Sequence, residues 1–206
     1  MKYIILKRFL DIVLSLILII LLLPLFLLIG ILIKLNSKGS FIYIQRRIGK
    51  NNITFSCYKF RTMTPKAKYI LKELLIKNQD IKNEFENTRK LINDPRITRI
   101  GKFLRFTSLD ELPQIFNVFK GDMSFIGPRP IVKSEIKKYG EDFKKAFSIK
   151  PGISGLWQVS GRNKLSYKKR VQLDIYYAKN INLLIDLKIF IKKLFVVFIT
   201  FNKGAF

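Results

Sequence analysis

Histidine is absent from this 206-residue chain, and cysteine occurs once, at Cys57. Without imidazole there is no Ser–His or Cys–His nucleophile pair, no histidine metal site and no histidine general base. A single thiol excludes an internal disulfide and a cysteine-built zinc site, and nothing here requires an oxidising compartment. Acidic residues are scarce as well: 14 against 39 Lys and Arg, a formal charge of +25. Catalysis, if there is any, falls to carboxylates, Lys, Arg, Tyr, hydroxyls or an oxygen-bound hard metal ion. No internal repeat and no low-complexity linker divides the chain. The length fits one domain with an appendage, or at most two small domains.

The charge points to a polyanionic partner: nucleic acid, anionic membrane lipid or a phosphorylated substrate. Much of the lysine belongs to a broad Lys, Ile and Asn bias and reads as solvated surface. The arginines say more, because a guanidinium forks onto phosphate where an ammonium cannot. Nucleic acid is set aside, since no recognisable binding module is present.

Lys7-Arg8-Phe9-Leu10-Asp11 leads into an apolar run from Ile12 to Ile33. That run can cross a bilayer core. It is too long for a signal peptide's apolar core, and no small-residue cleavage site follows. Lys2, Lys7 and Arg8 precede it, and Lys34, Lys38, Arg46, Arg47 and Lys50 follow, so flanking charge gives no orientation. Pro24, mid-run, removes an amide and bends a helix. Two readings stand: a kinked spanning helix, or a re-entrant helix–break–helix over residues 1–35 whose ends share one leaflet.

Residues 36–206 read as the second unit. Phe41–Ile44 and Ile53–Tyr58 have strand composition around a turn at Gly49–Asn52, which makes a hairpin. Lys59 and Arg61 then share one face of an extended segment. Pro65–Lys90 reads as one or two surface helices. Ile97–Phe106 reads as a basic amphipathic helix with Gly101 as its weak spot. Ser134–Phe147 reads as a Lys-rich helix, Leu156–Val159 as a strand-like piece and Tyr167–Tyr177 as a helix. Ile181–Phe201 is strongly apolar but interrupted by Lys188, Lys192 and Lys193, and reads as an interfacial or core helix.

Thr107-Ser108-Leu109-Asp110-Glu111-Leu112-Pro113-Gln114 sets two adjacent carboxylates at a helix start, amid excess positive charge. Ser108 and Glu111 have capping-box spacing; alternatively Asp110 is the cap and Pro113 lies in the first turn. Either way the dipole favours an ionised Asp110. Taken alone this is a helix cap with a first-turn acid. Among cations, an ionised Asp is also a nucleophile toward phosphorus. Two prolines stiffen the chain on both sides of Arg129 in Gly127-Pro128-Arg129-Pro130. Arg162 follows Gly161 at the end of a glycine-rich block from Pro151, where the backbone can approach a ligand closely.

Tyr58-Lys59-Phe60-Arg61-Thr62-Met63, Asp94-Pro95-Arg96-Ile97-Thr98-Arg99, Thr107–Gln114, Gly127–Pro130 and Pro151–Arg162 together resemble the bacterial sugar transferase family, the monotopic polyprenyl-phosphate phosphoglycosyl transferases. The blocks cover nearly the whole chain in the right order. The Trp157–Arg162 wording is most similar to undecaprenyl-phosphate hexose phosphotransferases. The resemblance implies an α+β, mostly helical fold held on the cytoplasmic face of the bacterial inner membrane by a re-entrant helix. It implies transfer of a sugar 1-phosphate from a UDP-sugar to undecaprenyl phosphate, with release of UMP, through an aspartyl intermediate. It also implies Mg2+ at the dyad. Carried over, Asp110 is the nucleophile and Glu111 a metal-linked or acid/base partner, with the ligating carboxylate left open. Arg105, Arg129 and Arg162 become phosphate or nucleotide contacts, with Lys59 and Arg61 as further candidates. The family often has Ser-Pro at the helix break; here it is Leu23-Pro24. Larger members carry extra N-terminal membrane helices and a further domain, so this chain is expected to be a minimal catalytic unit. Homo-oligomers are compatible with all of this. The competing expectation is a non-enzymatic basic adaptor anchored to anionic membrane.

Overall fold

The apolar run contains nothing that stops a helix except Pro24. In the computed structural model, which describes residues 2–88, 91 and 93–203, it lies within one helix, α1 (Lys2–Asn36). The helix continues through Pro24, so the expected helix–break–helix is recorded as a single 35-residue element. Proline still removes one amide from the ladder, a loss that apolar helices tolerate. α1 is long and apolar enough to cross a membrane. One face exposes Ile, Leu and Val, among them Ile17, Ile20, Leu21 and Leu27. The other is a buried stripe of Asp11, Ser15, Phe26, Ile29, Gly30 and Ile33.

That stripe is docked at both ends on the rest of the chain. Near the N-terminus Tyr3 and Lys7 donate to Asp186, and Arg8 donates to the carbonyls of Val118 and Phe119 at 2.6 and 2.8 Å. Asp11 accepts from the Phe125 amide at 3.1 Å. Toward the C-terminus Phe26, Ile29 and Ile33 pack with Phe60 and Leu104.

The hairpin forms as expected: β1 (Ile42–Ile48) pairs antiparallel with β2 (Thr54–Phe60), from Ile42↔Phe60 to Ile48↔Thr54. Asn51 and Asn52 take the left-handed backbone the turn needs, which asparagine tolerates. Two helices follow, α2 (Ala67–Lys77) and α3 (Gln79–Thr88). Arg89 and Lys90 of the expected helical stretch, like Met1 and residues 204–206, lie outside the described residues. α4 (Arg99–Phe106) is capped by Thr98, whose hydroxyl accepts from the Gly101 amide at 2.9 Å. α5 (Gln114–Lys120) stops at Gly121, which is left-handed.

A short parallel pair, β3 (Ser124–Ile126) and β4 (Gly152–Ser154), crosses the middle of the domain. Between them the expected Ser134–Phe147 helix is broken into α6 (Ile136–Tyr139) and α7 (Phe143–Ala146), with Gly140 at positive φ in the gap. The break lets Tyr139, Phe143 and Phe147 turn inward together onto Ile48, Ile131 and Val171. Leu156–Val159 is a correction: it is a helical turn, α8, and the strand lies just before it in β4. β3 is three residues long and offers no further partner. A helical turn instead buries Trp157, Gln158 and Val159 in succession. α9 (Tyr167–Lys179) and α10 (Leu183–Lys203) complete the chain; α10 turns Asp186 and Ile189 into the core. The fold is α+β and mostly helical, as expected.

Candidate active site

Ser108 is left-handed (φ 59°) and makes no side-chain cap bond. An N-cap needs extended backbone, so neither expected capping arrangement forms. Leu109–Glu111 is instead a 3-10 turn, and Pro113 occupies the cap position of α5. The two carboxylates therefore project from a tight turn ahead of the helix. Their charge is held by cations on neighbouring elements rather than by a helix dipole.

Lys59 of β2 stands between them, with Nζ 2.9 Å from Glu111 Oε1 and 3.7 Å from Asp110 Oδ2. Asn117 of α5 fixes that strand against the dyad's own helix. It accepts from the Tyr58 amide at 2.9 Å and donates to the Ser56 carbonyl at 2.7 Å. Asn117 is fully buried, and nothing in its sequence context marks it.

Arg105 approaches from α4. A Cβ on Gly101 would lie 2.0 Å from the Thr62 carbonyl oxygen, so this glycine lets α4 touch the end of the β2 segment. It is a contact point and not a weak spot. One turn later Arg105 Nε donates to Thr62 Oγ1 at 2.9 Å and faces Asp110.

Arg129 Nη1 lies 3.8 Å from Glu111 Oε1. Its Gly-Pro-Arg-Pro segment interlocks with β4: Gly152 N donates to the Pro128 carbonyl at 2.8 Å, and Gly127 N to the Ser154 carbonyl at 2.9 Å. A Cβ on Gly152 would fall 2.1 Å from Gly127 N. The two glycine–proline motifs are thus one backbone-to-backbone clamp that presents the guanidinium.

Arg61 is not brought to the dyad. Its guanidinium donates to the carbonyls of Ser37 and Lys38 at 2.6 and 3.0 Å and to Ser37 Oγ, closing the C-terminal end of α1. Arg162 follows Gly161 with both residues at positive φ. No ion pair or side-chain hydrogen bond ties it to the dyad among the described residues, and it acts electrostatically on Lys193 of α10. Lys193, which also faces Glu111 and Arg129, was not singled out by the sequence motifs. Apart from the turn asparagines Asn51 and Asn52, Ser108 and Arg162 are the non-glycine positive-φ residues among those described. Both adjoin site groups, where local strain tends to be held.

The environment separates the two acids. Burial pushes Glu111 upward, but Lys59 and Arg129, with the Lys59 hydrogen bond, outweigh it and hold this carboxyl well below its usual range. Burial and the Glu111 charge raise Asp110, opposed by Lys59, Arg105 and Arg129. Behind Arg129, Asp174 of α9 is fully buried and accepts from Tyr139 Oη at 2.8 Å. Burial raises its carboxyl to about 7 against that bond and the Arg129 charge.

Two adjacent carboxylates, one favouring the anion, surrounded by Lys and Arg and without imidazole, suit chemistry at phosphorus, where charge neutralisation matters more than proton shuttling. The comparisons agree. The bacterial sugar transferase family model matches residues 2–200. The chain is 47% identical over 192 residues to an undecaprenyl-phosphate galactose phosphotransferase of Salmonella typhimurium, covering 93% of this chain and 40% of that protein. It is 45% identical over 192 residues to a UDP-galactose-lipid carrier transferase of Erwinia amylovora (93% and 40%). It is also 45% identical over 186 residues to the exopolysaccharide production protein ExoY of Sinorhizobium fredii, covering 90% of this chain and 82% of that protein. The chain thus spans about two fifths of the Salmonella and Erwinia relatives. The match from α1 to α10 places the chain in the bacterial sugar transferase family.

Proposed function

We propose that this protein transfers a sugar 1-phosphate from a UDP-sugar to undecaprenyl phosphate, giving undecaprenyl-diphospho-sugar and UMP. The observation that carries this reading is the adjacent acid pair, Glu111 held ionised, among the cations Lys59, Arg105 and Arg129, in a family whose relatives are named for these substrates. Asp110 Oδ attacks the β-phosphorus. The bond from that phosphorus to the bridging oxygen breaks, and UMP leaves with the electron pair. A phosphate oxygen of undecaprenyl phosphate then attacks the same phosphorus, and the Asp110 carboxylate departs. Lys59 and Arg105 hold Asp110 in position, and Arg129 receives charge on the transferring phosphoryl oxygens. A covalent intermediate lets the soluble donor and the lipid acceptor be handled in turn.

Among the described residues no three His, Cys, Asp or Glu side chains cluster. Magnesium commonly uses one or two carboxylates and completes its shell with substrate phosphates and water. Asp110 and Glu111 provide that hard-oxygen pair and would hold the ion. When bound, it would neutralise phosphate oxygen charge.

An apolar groove of about 660 Å³ opens between α1 and α5, bordered by Leu23, Phe26, Phe116 and Phe119 and reaching Pro113, two residues from Glu111. It suits the isoprenoid part of the acceptor. The docking of α1 on one body at both ends supports a monotopic placement on the cytoplasmic face of the bacterial membrane, with both ends of the helix on one side of the bilayer. Cysteines placed at Lys2 and Lys38 would then label from the same side of sealed vesicles.

Purified protein with magnesium and a panel of UDP-sugars should release UMP, and Asp110→Asn should lower that release by roughly 1,000-fold or more. Retained turnover in the variant would remove Asp110 as nucleophile. No turnover with any donor, together with salt-sensitive binding to anionic vesicles, would leave the adaptor reading.

A further inference from the structure

The segment that carries Arg129 is anchored on two sides. Upstream, Gly127 and Pro128 interlock with β4. Downstream, the anchor comes from the end of β1. Ile48 N donates to the Ile131 carbonyl at 2.8 Å, and both residues are buried. One position earlier on the strand, Arg47 Nη1 donates to the Pro130 carbonyl at 3.2 Å and lies 3.9 Å from Glu135 Oε2. That carboxylate oxygen also accepts from the Val132 amide at 3.0 Å. Arg47 Nη2 donates to Gln45 Oε1 at 2.8 Å. One guanidinium thus ties its own strand to both ends of the turn that follows Arg129, and its side chain is only 15% exposed.

A cavity of about 10 Å³ places this contact beside the dyad. Arg47, Lys59, Glu111, Gln114, Arg129 and Pro130 all line it, and it has room for one water at most. Arg47 borders the dyad's cations without reaching either of its carboxylates: among the described residues, Glu135 is the acid at ion-pair distance from it. A further buried cation beside Lys59 and Arg129 is unfavourable unless its charge is taken up, which the Pro130 carbonyl, Gln45 and Glu135 do. An apolar residue would fill the space without that cost. What a guanidinium adds is a planar fork that bonds strand and turn together, which an ammonium cannot match. Displacing a group that stabilises a transition state by about 1 Å can cost on the order of 100-fold in rate, so the aim of Arg129 matters to the chemistry.

Resting on the function proposed above, we infer that Arg47 is a positioning residue for the transfer: by bonding the Pro130 carbonyl and pairing with Glu135, it aims the Arg129 guanidinium at the transferring phosphoryl group. It acts through Arg129 and does not itself touch substrate. The Ile48–Ile131 backbone contact does not depend on the Arg47 side chain, so loss of that side chain leaves the turn attached and its aim loosened.

The test is a double-mutant cycle of Arg47→Met and Arg129→Met in the full chain in nanodiscs, read as UMP release from a UDP-sugar, with hydrogen exchange measured on the same proteins without substrate. Arg47→Met should lower kcat about 10-fold and leave the donor KM within about threefold. In the Arg129→Met background the same change should cost less than about twofold. Arg46→Met, which removes the exposed charge next along the strand, should leave kcat unchanged. Residues 127–132 should exchange about 10-fold faster in Arg47→Met than in the wild type, while α9 exchanges at the wild-type rate. Full kcat in Arg47→Met overturns the inference. So do additive losses in the double variant, an equal loss in Arg46→Met, or unchanged exchange at residues 127–132. If the wild type releases no UMP from any UDP-sugar, the proposed function fails, and the exchange measurement still decides whether Arg47 holds the Arg129 segment.

Discussion

Two buried ionic clusters in this fold are built on opposite plans. At Asp186 both carboxylate oxygens are used: Tyr177 donates to one, Tyr3 and Lys7 to the other. Each member is paired, and the cluster ties α1, α9 and α10 together. At Asp110–Glu111 the balance is reversed. Lys59, Arg105, Arg129 and Lys193 act on two acids, so cations outnumber the carboxylates they meet. A closed cluster satisfies its own hydrogen bonds and works as a rivet. An open one with surplus charge of one sign is completed by a ligand of the other sign.

That contrast can be broken by exchanging the effects of mutation. The largest change is expected from Lys59→Met. It removes the cation shared by Asp110 and Glu111 and leaves two like charges adjacent. kcat/KM should fall roughly 100-fold with little loss of thermal stability, and the acidic limb of the pH–rate profile should move to higher pH as Glu111 loses its main stabiliser. Asp186→Ala should do the reverse. Uncompensated Lys7 and Tyr177 should cost about 3 kcal/mol in chemical denaturation, while the donor KM stays unchanged. A catalytic loss without a stability loss at Asp186, or the converse at Lys59, would erase the distinction.

A smaller effect sharpens it. Asp174 has a folded pKa of about 7, above the ordinary carboxylate value of 3.8. Between those values the folded state binds more protons than the unfolded state, so this group's contribution to stability falls as pH rises through about 4 to 7. No histidine titrates in that window. The melting midpoint should fall by several degrees from pH 5 to pH 8, and Asp174→Asn should flatten the fall.

What the sequence disclosed follows from range. Lys59, Arg105, Asp110, Glu111 and Arg129 sit in short blocks whose prolines, glycines and strand alternation fix local geometry, and these residues do meet. Arg61 was grouped with Lys59 by alternation, but β2 ends at Phe60, and past a strand's end that parity no longer applies. Ser108 forms no cap although it has the spacing for one, because Ser-x-x-Glu spacing does not encode the backbone's hand at the serine. Lys193 looks like Lys188 and Lys192 along the chain. Its spacing from Ile189 on a single apolar stripe was the available signal, but which stripe faces inward depends on how α10 packs on α8 and the β3–β4 pair. The docking of α1 at both ends was likewise out of reach, because it depends on contacts between the first residues of the chain and Asp186 near its end.

The central claim is a bond between Asp110 and phosphorus. Intact and peptide mass spectrometry of protein incubated with a UDP-sugar and magnesium, without lipid acceptor, reads it directly. The account requires a sugar-phosphate mass increment on the peptide bearing Asp110, lost when undecaprenyl phosphate is added and absent in Asp110→Asn. Stoichiometric UMP release with no adduct, or an adduct on another residue, would contradict it.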